Sequence, residues 1–157
     1  MILDTQKSTI GIHLRKLAFL ILLVLFLVLL YTTNLVKNFN IENERNNIAL
    51  AATILYIVYY SFTYIRDFNY IYFNNNSSKI IIRYYSLKPL SSEQNSLEIL
   101  KQDFQKFEIK QTWGGLRRYL IIYQRTAKGI AKYPPISISI LKKKDVDQLT
   151  RELSNVR

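Results

Sequence analysis

Between Lys16 and Lys37 the chain runs for twenty residues without a charged side chain, and the first fourteen of them, LAFLILLVLFLVLL, are all apolar. As a helix, residues 17–36 would rise about 30 Å, the thickness of one hydrocarbon core. A second uncharged run, 46–65, lies between Arg45 and Arg66 and has IALAATILYIVYYSFTYI as its apolar centre. A buried helix of a soluble protein keeps a polar face, which the first run lacks, so both runs are expected to cross a bilayer. The first is too long for a signal-peptide core, and YTTNLV offers no small-x-small cleavage pattern, so it is expected to be retained. The nine residues KNFNIENER, 37–45, then read as a turn between two antiparallel helices, which would put 1–16 and 66–157 on the same side.

After Arg66 the pattern changes to short aromatic and β-branched runs. NYIYF (69–73) and KIIIRYYSL (79–87) flank NNNSS (74–78), which is turn chemistry, and together they read as a hairpin. Pro89 and the polar tract 91–96 follow as a predicted loop. Residues 92–113 fit two patterns: Leu97, Leu100, Phe104 and Phe107 have helical spacing, whereas Leu97 with Ile99 and Phe107 with Ile109 alternate as in strands. Two strands near 97–100 and 104–112, bent at 101–103, are the favoured reading, with TWGG (112–115) closing a hairpin onto RRYLIIYQR (117–125). A turn at Lys128 and Gly129 leads to YPPISISIL (133–141), where isoleucines alternating with Ser137 and Ser139 predict one buried and one wet face. Pro134 and Pro135 must then lie at its start, an edge or a bulge. Val146, Leu149, Leu153 and Val156 predict an amphipathic helix beginning near Lys143, with Asp145, Asp147 and Glu152 on its polar side.

Composition sharpens this division. The net charge is +11, and 17 basic against 8 acidic residues lie from Arg66 onward. Lys7, Arg15 and Lys16 before the first run outnumber Lys37 and Arg45 in the turn, which predicts both termini in the cytoplasm. The absence of cysteine excludes disulfides, thiol nucleophiles and cysteine-ligated metals. With His13 the sole histidine, no catalytic triad or multi-histidine metal site is expected; His13 reads as an interfacial residue, or less readily as a pH sensor. No paired carboxylates or phosphate-binding loop stand out, so neither an enzyme nor a cofactor is expected.

The element order, antiparallel strands followed by one amphipathic helix, is that of a pleckstrin-homology-like (PH-like) domain. Following two membrane spans, it resembles bacterial two-span membrane proteins with a C-terminal PH-like domain, the layout of the YcxB-like and YdbS-like groups. The resemblance rests on NYIYF-NNNSS-KIIIRYY, on LEILKQDFQKFEI with Asp103-Phe104 at its bend, on the paired RRYLIIYQR and ISISIL, and on DVDQLTREL. It implies an α+β fold class, a membrane α hairpin plus a PH-like domain, in an inner-membrane protein. The implied function is non-enzymatic: interaction or scaffolding, as accessory subunit or assembly factor. One departure is that the 74–78 loop carries no basic residue, only Lys79 adjoining it, so phosphoinositide capture there is not expected.

Two sets of residues are candidates for contacts. Arg117, Arg118, Lys128, Lys132, Lys142, Lys143 and Lys144 could meet anionic lipid, the alternative being solvated charge on a cytoplasmic surface. Tyr56, Tyr60 and Tyr64 share one helix face and serve either as interface anchors or as a stripe on a partner helix. Trp113 is a candidate partner anchor, or else a plug over the end of a barrel. The expected partners are the lipid bilayer and other membrane proteins or a second copy of the chain. Nucleic acid is not expected, because the tyrosines are better used in strand packing.

Overall fold

The computed structural model describes residues 1–32, 44–88, 91 and 93–156. The chain divides into two units, Ile10–Thr63 and a second that joins Met1–Thr9 to Tyr64–Arg157.

The first unit holds most of two helices, α1 (Gln6–Thr32) and α2 (Arg45–Ile65), both long and apolar enough to cross a membrane. They run antiparallel: Phe19 meets Tyr59 with ring centroids 4.5 Å apart, while at the other end the Tyr31 hydroxyl donates to Asn46 at 3.0 Å. Most of their leucines, isoleucines and valines are exposed and none is buried, unlike those of a soluble core helix. Within the second run, Thr53 donates to the Ala49 carbonyl and Thr63 to the Tyr60 carbonyl, each at 2.8 Å, so these hydroxyls are satisfied inside their own helix. α1 begins eleven residues before the apolar run predicts, taking in the polar turns QKSTIGIHLRK. The predicted turn 37–45 falls outside the described residues up to 43.

In the second unit, alternation sets the first sheet. β2 (Asn69–Asn74), β3 (Lys79–Ser86) and β4 (Gln94–Leu100) form a meander, and β1 (Ile2–Asp4) adds to its edge, giving the antiparallel order β1-β2-β3-β4. The register aligns Leu3, Phe73, Ile82 and Leu97 in one row across all four strands, and all four are buried. On the opposite face Tyr70 stacks on Tyr85 at 4.7 Å, a direct cross-strand pair. Burial first, and then a hydrogen bond to Asp4, holds the Tyr70 phenol above its ordinary value.

β1 is a strand that the sequence pattern did not predict within the N-terminal segment 1–16. Thr5 fixes it: its hydroxyl accepts the Ile71 N–H at 2.8 Å and donates to the Ile71 carbonyl at 3.1 Å, while Asp4 accepts the Gln6 N–H at 2.8 Å in the turn into α1. The neighbours β1 and β2 in this sheet are thus separated in sequence by both apolar helices.

A 3-10 turn at Lys101–Asp103 leads into the second sheet, as the strand reading predicts. β5 (Phe104–Thr112) pairs with β6 (Arg117–Thr126), and β7 (Gly129–Lys132) and β8 (Ile136–Ser137) share the other edge of β6. The predicted strand 133–141 is therefore shortened to two residues, because Pro134 and Pro135 cannot donate to the ladder and break the edge between β7 and β8. Its wet face is also absent: Ser137 and Ser139 are as buried as the isoleucines beside them. The loop predicted for 91–96 is strand from Gln94 onward. The final helix α3 (Lys143–Ser154) matches its prediction and buries Leu149 and Leu153.

Candidate functional site

The two buried serines belong to a clamp that the sequence did not disclose. Asp67 follows α2 and has a left-handed backbone, φ 51°, as a residue just beyond a helix terminus often does, and its N–H returns to the Tyr64 carbonyl at 3.2 Å. Its three oxygens each engage a different part of the chain. Ser137 of β8 donates to its carbonyl, Tyr119 of β6 donates to its carboxylate at 3.2 Å, and Lys88, just past β3, forms an ion pair with the same carboxylate. Ser137 also lies 3.2 Å from Ser139, whose hydroxyl accepts the Arg118 N–H at 3.0 Å. The residues leaving α2 are thereby tied to both sheets. An acid two residues past an apolar run, with a serine pair 70 positions later, carries no periodic signal that would have linked them.

Trp113 lies just before β6, near its Arg117 end. It forms the β5–β6 turn with Gly114 and Gly115, and all three have positive φ, 55°, 61° and 89°. The indole is 63 % exposed, so it does not plug the domain as one expectation had it. The Arg117 guanidinium lies 5.6 Å from its ring centre and donates through Nε to the carbonyl of Ile65, the last residue of α2. Tyr64, one residue earlier, is exposed, with Lys88 5.4 Å from its ring centre.

Tyr56 and Tyr60 belong to the helical unit, where their rings are stacked 6.3 Å apart and Lys16 sits 5.9 Å from the Tyr60 centre. Tyr56 and Tyr59 line an apolar groove of about 350 Å³ with Phe19, Phe26, Ala52 and Leu55. Tyr64 stands outside that groove.

The seven basic candidates do not converge on one patch. Arg118 donates to the Leu141 carbonyl and so lies next to Lys142, Lys143 and Lys144, which occupy the cap and first turn of α3. Lys128 lies past the other end of β6, roughly 30 Å along the strand, and Lys132 is level with Tyr123 between them. No side chain caps α3, and its three leading lysines face the positive end of the helix dipole.

On the outer part of β5, Glu108 accepts from Lys106 at 2.8 Å and from the Tyr123 hydroxyl at 3.1 Å. The hydrogen bond from Lys106 is the main cause that lowers the Glu108 carboxyl, and the same bond raises Lys106. Among the described residues no group of three His, Cys, Asp or Glu side chains is placed to hold a metal. No protein family, curated protein or solved structure matches this chain.

Proposed function

We propose that the chain is a membrane-anchored, non-enzymatic interaction module, an accessory subunit or assembly factor of a bacterial inner-membrane complex, with both termini in the cytoplasm. The observation that carries this reading is the shared sheet: β1 precedes α1, β2 follows α2, and the two pair residue for residue from Ile2↔Asn74 to Asp4↔Tyr72. Segments that pair in one sheet lie on one side of a membrane, which requires an even number of crossings between them; α1 and α2 provide two. The order of two antiparallel sheets and a closing helix supports a PH-like domain, interrupted after its first strand by the helical hairpin. Two spans are too few to enclose a transport path alone, which favours action through a partner. The exposed helix surfaces and the tyrosine-lined groove are the places such a partner would pack, through van der Waals contact and tyrosine hydroxyls. Purification from native membranes in mild detergent tests this: a stoichiometric companion, or a stable oligomer, is expected, and a bare monomer would refute it.

A second reading, contact of the basic domain with anionic lipid, is favoured by the three lysines at the start of α3. Each cation there costs about 0.3–1 kcal/mol against the helix dipole, and an anionic headgroup would offset that cost. Full-length protein in nanodiscs should then show slower amide exchange at 143–146 when phosphatidylglycerol is present than in phosphatidylcholine alone. Equal exchange in both would defeat it.

A further inference from the structure

We infer that the β5–β6 turn is a third membrane attachment, with Trp113 inserted into the headgroup and glycerol layer beside the end of α2; this rests on the reading of α2 as a membrane span. Three observations converge on it. The first is where the ring is held. Arg117 donates from the edge of its guanidinium to the carbonyl of Ile65, where the uncharged run of α2 ends, and the same guanidinium lies 5.6 Å from the indole ring centre, so Trp113 is tied to the very level at which that span would leave hydrocarbon.

The second is conformational. Trp113 adopts φ 55°, a region costing a side chain with a Cβ about 1–2 kcal/mol, and it is followed by two glycines in the same region. A Cβ built on Gly114 would meet no atom within 4 Å, so nothing packs against the tip of the turn there. The strain is not offset by burial in the fold, since the indole is 63 % exposed; insertion between lipids would supply that burial.

The third is the company the ring keeps. Tyr64 is 51 % exposed and carries Lys88 over its face, and Arg66 lies 5.0 Å from the Phe68 ring centre. Aromatic rings with cations over their faces are the composition of a membrane–water boundary, where tryptophan and tyrosine place an apolar ring below and a polar edge above. A soluble partner would call for a larger apolar area around the indole than a turn whose next two residues are glycines.

Trp113 is the only tryptophan, so the wild-type protein reports on itself. Full-length protein would be reconstituted in phosphatidylcholine vesicles and its emission compared with vesicles whose lipids carry bromine near the glycerol end, or near the methyl end, of the acyl chain. The expected result is a blue-shifted emission, at least about twofold quenching by the shallow bromines, weaker quenching by the deep ones, and protection from acrylamide. Emission at the wavelength of free tryptophan with full acrylamide quenching would overturn the inference. A blue shift untouched by either bromolipid would also overturn it, by placing the ring between copies of the protein. A companion variant, Trp113→Phe with Phe26→Trp, moves the reporter into α1. Its quenching by the deep bromines with none at Trp113 refutes the turn alone, whereas its failure to be quenched refutes the membrane reading of the helices.

Discussion

Replacing Thr5 by valine should destabilise a domain whose other strands all lie more than 60 residues away. Thr5 is 5 % exposed, and its hydroxyl both accepts the Ile71 N–H and donates to the Ile71 carbonyl. Valine keeps the shape and removes both bonds. The carbonyl retains the Thr5 backbone N–H at 3.1 Å, but the Ile71 N–H loses its partner, and a buried orphan donor costs about 1–3 kcal/mol. The added methyl returns under about 1 kcal/mol of apolar burial. A net loss of about 1–2 kcal/mol is expected, which is about 4–15 °C in midpoint for a domain of this size. Thr5→Ser keeps both bonds and forfeits only a methyl, so it should cost less. Unfolding in detergent micelles, followed by the near-ultraviolet dichroism of the Tyr70–Tyr85 stack, gives the midpoints, and amide exchange at Ile71 reports the bond itself. A Thr5→Val protein that melts with the wild type, or an Ile71 amide that already exchanges freely in the wild type, would refute the placement of β1 in this sheet.

Three further outcomes follow from the same contacts. Lys142→Asp supplies the missing cap of α3 and reverses a charge at its positive end, so it should stabilise the domain by about 1 kcal/mol in chemical denaturation. Ser137→Ala removes a donor to the Asp67 carbonyl within a buried network and should destabilise by about 1–3 kcal/mol, with faster amide exchange at Asp67 as the local readout. Glu108 is held below its ordinary value of 4.5 and Lys106 above its ordinary 10.5. Their contribution is therefore present between those two values, is lost as pH falls through the lowered carboxyl, and is lost again as pH rises through the raised amine. Denaturation midpoints of Glu108→Gln and the wild type should differ at neutral pH and converge in strong acid.

How legible the fold was depended on the range of each signal. The apolar runs, the 69–74 and 79–86 hairpin, the bend at 101–103, the TWGG turn and the last helix are all encoded by patterns within about a dozen residues, and these agree with the structure. β1 is three residues long and finds its partner some 70 positions away, so no local period marks it. The ISISIL run misled for a related reason. Alternation predicts a wet serine face only if nothing covers it, and here Asp67 and the Arg118 N–H reach those hydroxyls from distant parts of the chain. Of the candidate residues, Trp113 and Arg117 lie together beside the end of α2, which charge counting alone could not show. Arg118 is engaged with the Leu141 carbonyl, and Lys128 lies a strand length away from both.

The claim from which the rest follows is that one β domain is assembled from strands on either side of the apolar helices. The chain has no cysteine, so a single engineered pair tests it in native membranes. Ile2 and Asn74 are opposite each other, flanked by the Thr5-to-Ile71 and Asn75-to-Met1 backbone bonds, which makes them a non-hydrogen-bonded pair with Cα atoms about 4.5 Å apart, close enough for a disulfide. With Ile2→Cys and Asn74→Cys, mild oxidation should give an intrachain disulfide, seen as faster migration without reductant, while Ile2→Cys with Asn69→Cys, at the far end of β2, should not. Absence of the bond in the first pair, or equal bonding in both, would contradict the shared sheet and with it the proposal that a helical hairpin inserted between its strands crosses the membrane.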